Sequence, residues 1–377
     1  MDGCVNTRKF DGMVQTPAPP VTSLSMNNCG PLKDPTALMR KGKELADLMF
    51  AFQKSQILYS ASNLGVFEEL KAAAGPMTST SLANRIKTNP DATERLLNAC
   101  VAMGLLHKSD SGCFSNSVVA NMFLTKSSPI PMRSILTSVG DMYELWGQLT
   151  DGVKLGKGKK FGADGQKCFQ EGANGYYHTD SKALDFMHTM HTFSKMDAPF
   201  AVHAFDLTEF TSACDLGGGT GALAVELSKQ YPQMSVSVME LPQVVRCAKH
   251  FLHNDQHTVQ FVSGDFFKDG LPPADLYILS HVIHDWSPAK IEQLLERIHD
   301  SLDTGGAVLI LEKMLADSKD GPMETILMDL NMLIGCEGRE RSKEEYRSLL
   351  QRHGFVDIQV KILPQAMWHD AILARKE

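Results

Sequence analysis

From Thr211 onward the hydrophobic positions alternate between two patterns. Short apolar, β-rich runs at residues 213–216, 235–239, 259–262, 276–280 and 307–311 read as strands, and the segments between them, 221–230, 243–252 and 288–302, repeat at helical spacing. Strands alternating with helices predict an α/β fold, a parallel sheet with crossover helices. Residues 356–362 and 370–373 read as closing strands.

The pattern before residue 200 is different. Residues 1–35 place Pro17, Pro19, Pro20, Pro31 and Pro35 among Ser, Thr, Asn and Gly without hydrophobic period, which predicts a disordered tail. Leu38, Leu45, Leu48, Met49, Phe52, Ile57 and Leu58 then recur at helical spacing and predict one helix over 36–59, broken at Leu64-Gly65. A helix over 78–86, a second opened by Pro90, and a small hairpin around Asp110-Ser111-Gly112 have the order of a winged helix. KLGKGKK at 154–160 reads as a solvated basic loop. The Met- and Phe-rich stretch 184–205 reads as a core helix joining two domains. The expected division is therefore a tail (1–35), a mainly helical winged-helix-like domain (36–200) and an α/β domain (201–377).

Composition narrows the function classes. The 377 residues are 43% hydrophobic and 21% charged, with net charge −7, which is globular and unsuited to a broad basic surface for nucleic acid. The presumed recognition helix of the winged unit carries only Arg95 as a base, so no nucleic-acid partner is expected. No apolar run reaches the ~20 residues that span a bilayer, so no membrane partner is expected. MDGCVNTRKF lacks the apolar core of a secretory leader, and the eight cysteines are scattered without a CxxC pair; a cytoplasmic protein with reduced thiols is expected. The HxxH pairs His188/His191 and His281/His284, and the group His250, His253 and His257, lack further ligands at established zinc spacings, so no metal is expected.

Candidate chemistry gathers where strands end. Asp215-Leu216-Gly217-Gly218-Gly219-Thr220-Gly221 follows the first strand of the α/β region and opens a helix. Gly217, Gly219 and Ala222 fit the G-x-G-x-x-A dinucleotide pattern of an NAD-dependent oxidoreductase. Asp215, Gly217, Gly219 and Gly221 equally fit D-x-G-x-G-x-G, which suits S-adenosylmethionine. Glu240 ends the second strand, where a carboxylate can hold ribose hydroxyls. Asp265 and Phe266 end the third, where a carboxylate beside an aromatic ring suits adenine. Asp215 at the mouth of the loop can accept from an ammonium group. Together these favour S-adenosylmethionine. After the fourth strand, His284 is a candidate general base, and either Glu312 or Glu340 could orient it.

The strings DLGGGTGAL, ELPQVV, GDFFKDGLPPADLY, HVIHDW, LNML and EGRERS resemble the class I, plant-type S-adenosylmethionine-dependent O-methyltransferase family, and within it the animal acetylserotonin branch, over residues 41–376. The resemblance implies a helical, winged-helix-like dimerisation domain before a Rossmann-type methyltransferase domain, a homodimer intertwined through its first helices, and metal-independent methyl transfer to a small aromatic hydroxyl, N-acetylserotonin in that branch. It implies His284 as general base with Glu340 and Glu312 as its carboxylates. Gly217, Glu240, Asp265, Phe266 and Tyr177 fall at cofactor positions, and Asp285 and Asn331 at acceptor positions. Four positions depart from the pattern: Glu240 stands for the usual Asp at the ribose position, Gly335 for Gln, Ser194 for an aromatic residue, and His281 for a frequent Arg. A catalytically silent interaction protein of the same fold is the competing reading outside enzymes.

Overall fold

The computed structural model describes residues 34–128, 130, 132–158, 177, 179–252 and 259–377. The tail expected over 1–35 lies, up to Lys33, outside the described residues, as do Lys159, Lys160, His253 and His257.

The chain divides into two compact units, Met1–Leu58 and Tyr59–Glu377. In the first, the helix Pro35–Met49 starts at Asp34, whose side chain accepts from the Thr36 N–H at 3.0 Å, with proline at the first position. The single helix expected over 36–59 is interrupted at Phe50, whose N–H turns back to the Ala46 carbonyl, and Ala51–Asn63 resumes after it. A one-residue break leaves the hydrophobic phase almost unchanged, so periodicity does not register it.

In the second unit, Val66–Ala72, Ser79–Ile86 and Pro90–Ala102 precede the hairpin of β1 (Leu106–Lys108) and β2 (Phe114–Asn116). Thr78 caps the second helix on Ser81 at 3.2 Å, and Asn89 the third on Ala92 at 3.0 Å. The 22-residue helix Asp180–Ala201 follows, capped by Thr179.

The main sheet is built from β3 (Ser212–Leu216), β4 (Ser235–Glu240), β5 (Gln260–Ser263), β6 (Leu276–Ser280), β7 (Ala307–Glu312), β8 (Phe355–Lys361) and β9 (Asp370–Lys376). Their order is β5-β4-β3-β6-β7-β9-β8, with β9 alone antiparallel to the rest. The expected strands all form; the expected helix 243–252 is the shorter Pro242–Ala248. Side chains alternate between two buried clusters. Val238, Ile278, Leu309 and Leu311 pack on one face of the sheet, and Leu216, Tyr277, Leu279 and Ile310 on the other. Each fully buried aliphatic side chain contributes about 1.5–3 kcal/mol.

Strand order reverses between β3 and β6, so the loops that follow them diverge and leave a crevice at their carboxyl ends. β9 returns antiparallel beside β7 with Asp370 opposite Glu312, which brings the residues just before β9 to this same edge. Among the described residues no helix is long and apolar enough to cross a membrane.

Candidate active site

The loop between β3 and the helix Ala222–Gln230 turns through Gly217, Gly219 and Gly221, all with positive φ (+76°, +57° and +78°). A Cβ on Gly218 would lie 2.4 Å from the Asp215 carboxylate, and one on Gly221 2.8 Å from the Phe261 ring. Asp215 is fully buried, and neither carboxylate oxygen has a hydrogen-bond partner. Burial, then the neighbouring Glu240, pushes its pKa up to about 7. Glu240 is also pushed up to about 7 by burial, against the pull of the N–H groups of Leu241 (2.7 Å) and Gly219 (3.1 Å), which donate to it.

These groups open onto a cavity of about 730 Å³. Tyr177, Asp215, Gly217, Gly219, Glu240, Asp265, Phe266 and Asp285 all line it, so most of the residues singled out in the sequence meet on one wall. Gly221 instead caps the helix behind the loop. The Asp265 carboxylate accepts from the Phe267 N–H (2.9 Å) and the Lys268 ammonium (2.7 Å). The helix Asp180–Ala201 adds Phe186, Met187, Met190 and Ser194 to the wall. The reading of this helix as core holds for Met187, which is buried among apolar neighbours, but its apolar stripe serves the cavity as well. Helical periodicity cannot distinguish an apolar face that meets core from one that meets a ligand.

His284 lies in the 3-10 turn Ile283–Asp285 that follows β6 and is buried just behind this wall. Its Nδ1 is 2.7 Å from Glu340 Oε1, and its Nε2 is 3.7 Å from Asp285 Oδ1. Glu312, the last residue of β7, accepts from the backbone N–H groups of Val282 and His284, both at 3.1 Å, and from the Tyr346 hydroxyl. The two glutamates therefore divide the work: Glu340 holds the ring and Glu312 holds the backbone beneath it. Sequence spacing left that division open. Glu340 is held in turn by its own N–H, which donates to Asp329 at 2.8 Å. Gly338 lets this loop press on the His284 carbonyl, 1.7 Å from where a Cβ would stand.

Burial is the largest influence on His284 and favours its neutral form, but Glu340, Asp285 and Glu312 together outweigh it and hold the pKa up to about 10. Asp285 is pushed up to about 7, first by burial and then by Glu312 and Glu340, with His284 opposing. Ligand-capable atoms of His284, Glu312 and Glu340 lie within 4.8 Å of one another, as a metal trio would require. His284 Nδ1 and Glu340 Oε1 are committed to each other, and Glu312 to Tyr346 and to backbone N–H groups, while Glu340 Oε2 is buried without a hydrogen-bond partner. Asn331 lies on the helix Met323–Gly335 with its Oδ1 buried and unpartnered, and it is not part of the cavity wall.

Sequence reasoning missed Tyr346, which reaches Glu312 from the helix Lys343–Arg352. It also missed a second buried carboxylate–imidazole pair. Asp197 Oδ2 is 3.1 Å from His369 Nδ1, and His369 Nε2 is 3.0 Å from Ser280 Oγ.

A family model described as an O-methyltransferase domain matches residues 146–356, and one described as an O-methyltransferase dimerisation domain matches residues 46–126. Acetylserotonin O-methyltransferase of Bos taurus is 38% identical over 333 residues, covering 86% of this chain and 95% of the relative. A human probable bifunctional dTTP/UTP pyrophosphatase/methyltransferase protein is 38% identical over 335 residues, covering 88% of this chain and 53% of the relative. The crystal structure of human N-acetylserotonin methyltransferase in complex with SAM matches with a TM-score of 0.83 and 37% identity, covering 92% of this chain and 99% of that one.

Proposed function

This chain belongs to the S-adenosylmethionine-dependent O-methyltransferase family, and from that premise we propose that it methylates the hydroxyl of a small aromatic acceptor, N-acetylserotonin to give melatonin, with His284 as general base. The observation that carries the reading is the buried His284–Glu340 contact of 2.7 Å at the carboxyl end of β6, beside the cavity. The cavity suits the cofactor: Asp215 offers two buried, unpartnered carboxylate oxygens, and the glycine loop admits close backbone approach. In this reading Asp215 meets the cofactor's ammonium, Glu240 its ribose hydroxyls, and Asp265 and Phe266 its adenine, with Tyr177, Gly217, Gly219 and Gly221 shaping the rest. Asp285 faces the acceptor, and Asn331 supports that side from its helix.

S-adenosylmethionine brings a methyl group already activated on a sulfonium. The work left to the chain is to hold the acceptor and take its proton. A phenol has a pKa near 10, so forming its anion at neutral pH costs about 4 kcal/mol. A positioned base supplies about 10²–10⁴-fold. Glu340 accepts from Nδ1–H, so in the neutral ring the lone pair sits on Nε2. With its pKa held up to about 10, the ring is cationic at neutral pH in the ligand-free protein. Positive charge entering the cavity lowers that value and readies the base. The test is methyl transfer from labelled S-adenosylmethionine to a panel of phenols and hydroxyindoles that includes N-acetylserotonin. Label on the hydroxyl of one or more acceptors is expected. A protein that binds S-adenosylhomocysteine yet labels no acceptor refutes the activity.

Cofactor affinity is expected to depend on pH. Asp215 must be ionised to meet an ammonium, and its pKa is pushed up to about 7. The ligand therefore selects the deprotonated form, and affinity for S-adenosylhomocysteine should fall about tenfold per pH unit below about 7. Calorimetry at pH 8 and pH 5.5 measures this. Asp215→Asn should bind more weakly at pH 8 and lose most of the dependence; an unchanged slope removes Asp215 from the ammonium site.

Residues 36–200 are assigned to dimerisation and 201–377 to methyl transfer. In the first unit Met39, Leu45, Leu48, Met49 and Phe50 are 53–73% exposed, a large apolar area for a lone chain. A homodimer is expected by light scattering at assay concentration, and a monomer there counts against this assignment.

A further inference from the structure

Beside the proposed base, the cavity wall carries a polar edge that proton removal does not use. Ser280, the last residue of β6, and His281 both line the cavity. Behind them is the buried Asp197–His369 pair. Asp197 accepts from the backbone N–H groups of Met367 (3.0 Å) and Trp368 (2.5 Å) as well as from His369. Burial works against its charge, but the hydrogen bonds from His369 and the two backbone groups hold its pKa below the usual carboxylate range. An ionised carboxylate only accepts, so the proton between it and His369 belongs to Nδ1. With His369 assigned as the Nδ1–H tautomer, Nε2 carries a lone pair and at 3.0 Å accepts the single proton of the Ser280 hydroxyl. What Ser280 has left to offer the cavity is an oxygen acceptor.

His281 adds to the same edge. Its ring centroid is 4.4 Å from that of His369 and 5.1 Å from that of His284. Burial, with the neighbouring His284 cation adding to it, holds its pKa well below 6.5, so the ring is uncharged, and its buried Nε2 has no hydrogen-bond partner. A buried polar atom left unmatched costs about 1–3 kcal/mol, and a ligand that matches it recovers that cost.

We propose that Ser280, positioned by Asp197 and His369, acts with His281 as the edge that selects the methyl acceptor, and that it takes an uncharged aromatic hydroxyl compound carrying a second hydrogen-bond donor, such as a ring N–H. The inference deepens the methyl-transfer reading and rests on it for the identity of the cavity's second ligand. Ser280 and His281 are specificity residues in this scheme; Asp197 and His369 are positioning residues.

The test compares 5-hydroxyindole with 5-hydroxybenzofuran, in which oxygen replaces the ring N–H. Calorimetry measures binding of each to the full chain saturated with S-adenosylhomocysteine. Wild type should bind the indole about tenfold more tightly, the scale of one unmatched buried group. Ser280→Ala should bring the ratio close to one, and His281→Phe should reduce it. Ser280→Thr, which keeps the hydroxyl, should preserve it. Equal affinities in wild type, binding of neither compound, or an undiminished ratio in both Ser280→Ala and His281→Phe overturns the proposal. Turnover is scored separately: preserved discrimination without methyl transfer counts against the reaction and for the recognition.

Discussion

Replacing His284 with alanine is expected to lower turnover about 10²–10⁴-fold, the usual worth of a positioned general base. The side chain lost is one that Glu340 grips at 2.7 Å and whose backbone N–H is bonded to Glu312 at 3.1 Å. Affinity for S-adenosylhomocysteine should change little, because Asp215, Glu240 and the glycine loop are untouched. Rate should recover partly as pH approaches a phenol's pKa near 10, where the acceptor ionises without help. Stability gives a second readout. The folded pKa of His284 lies near 10, above the ordinary 6.5. Its contribution is therefore complete below about pH 6.5 and disappears as pH rises through about 10. The melting temperatures of mutant and wild type should differ most near pH 6 and converge toward pH 10. A mutant with full activity at neutral pH would assign proton removal elsewhere.

The second large effect is expected from Gly338→Ala, which adds one methyl group and alters no ionisable side chain. The new Cβ would stand 1.7 Å from the His284 carbonyl oxygen and 2.6 Å from the Asp285 carbonyl carbon, so backbone must move. The loop that moves carries Glu340, and the segment it presses on carries His284. A misplacement of about 1 Å in such a pair costs about 10²-fold in rate. Overpacking of this kind also costs about 1–3 kcal/mol of stability. Steady-state kinetics should show the loss in kcat, with S-adenosylhomocysteine affinity near wild type. Unchanged kcat would mean that the Gly338 approach does not set the position of Glu340. The comparison with His284→Ala is informative, because alkaline rescue should appear in both if both lose the base.

Local sequence pattern was enough for the α/β fold and for bringing Asp215, Glu240 and Asp265 to one edge of its sheet. Strands announce themselves through local apolar runs, and groups such as Asp215, Glu240 and Asp265 sit at or just beyond the ends of the strands they follow, so their place at the sheet edge follows from chain order. The glycine spacing was legible for the same reason, since each positive φ is a requirement of the local backbone. Tertiary structure alone settles how distant segments are arranged around His284. His284 and Glu340 are 56 residues apart and Asp197 and His369 are 172 apart, separations over which no periodicity carries information. Whether Glu312 or Glu340 holds the imidazole depends on Gly338 letting one loop close on another. The Ser280 and His281 edge depends on β9 returning antiparallel beside β7, which places His369 at the carboxyl end of the sheet. Local pattern fixes which residues end strands; long-range pairing and close backbone packing fix which of them touch.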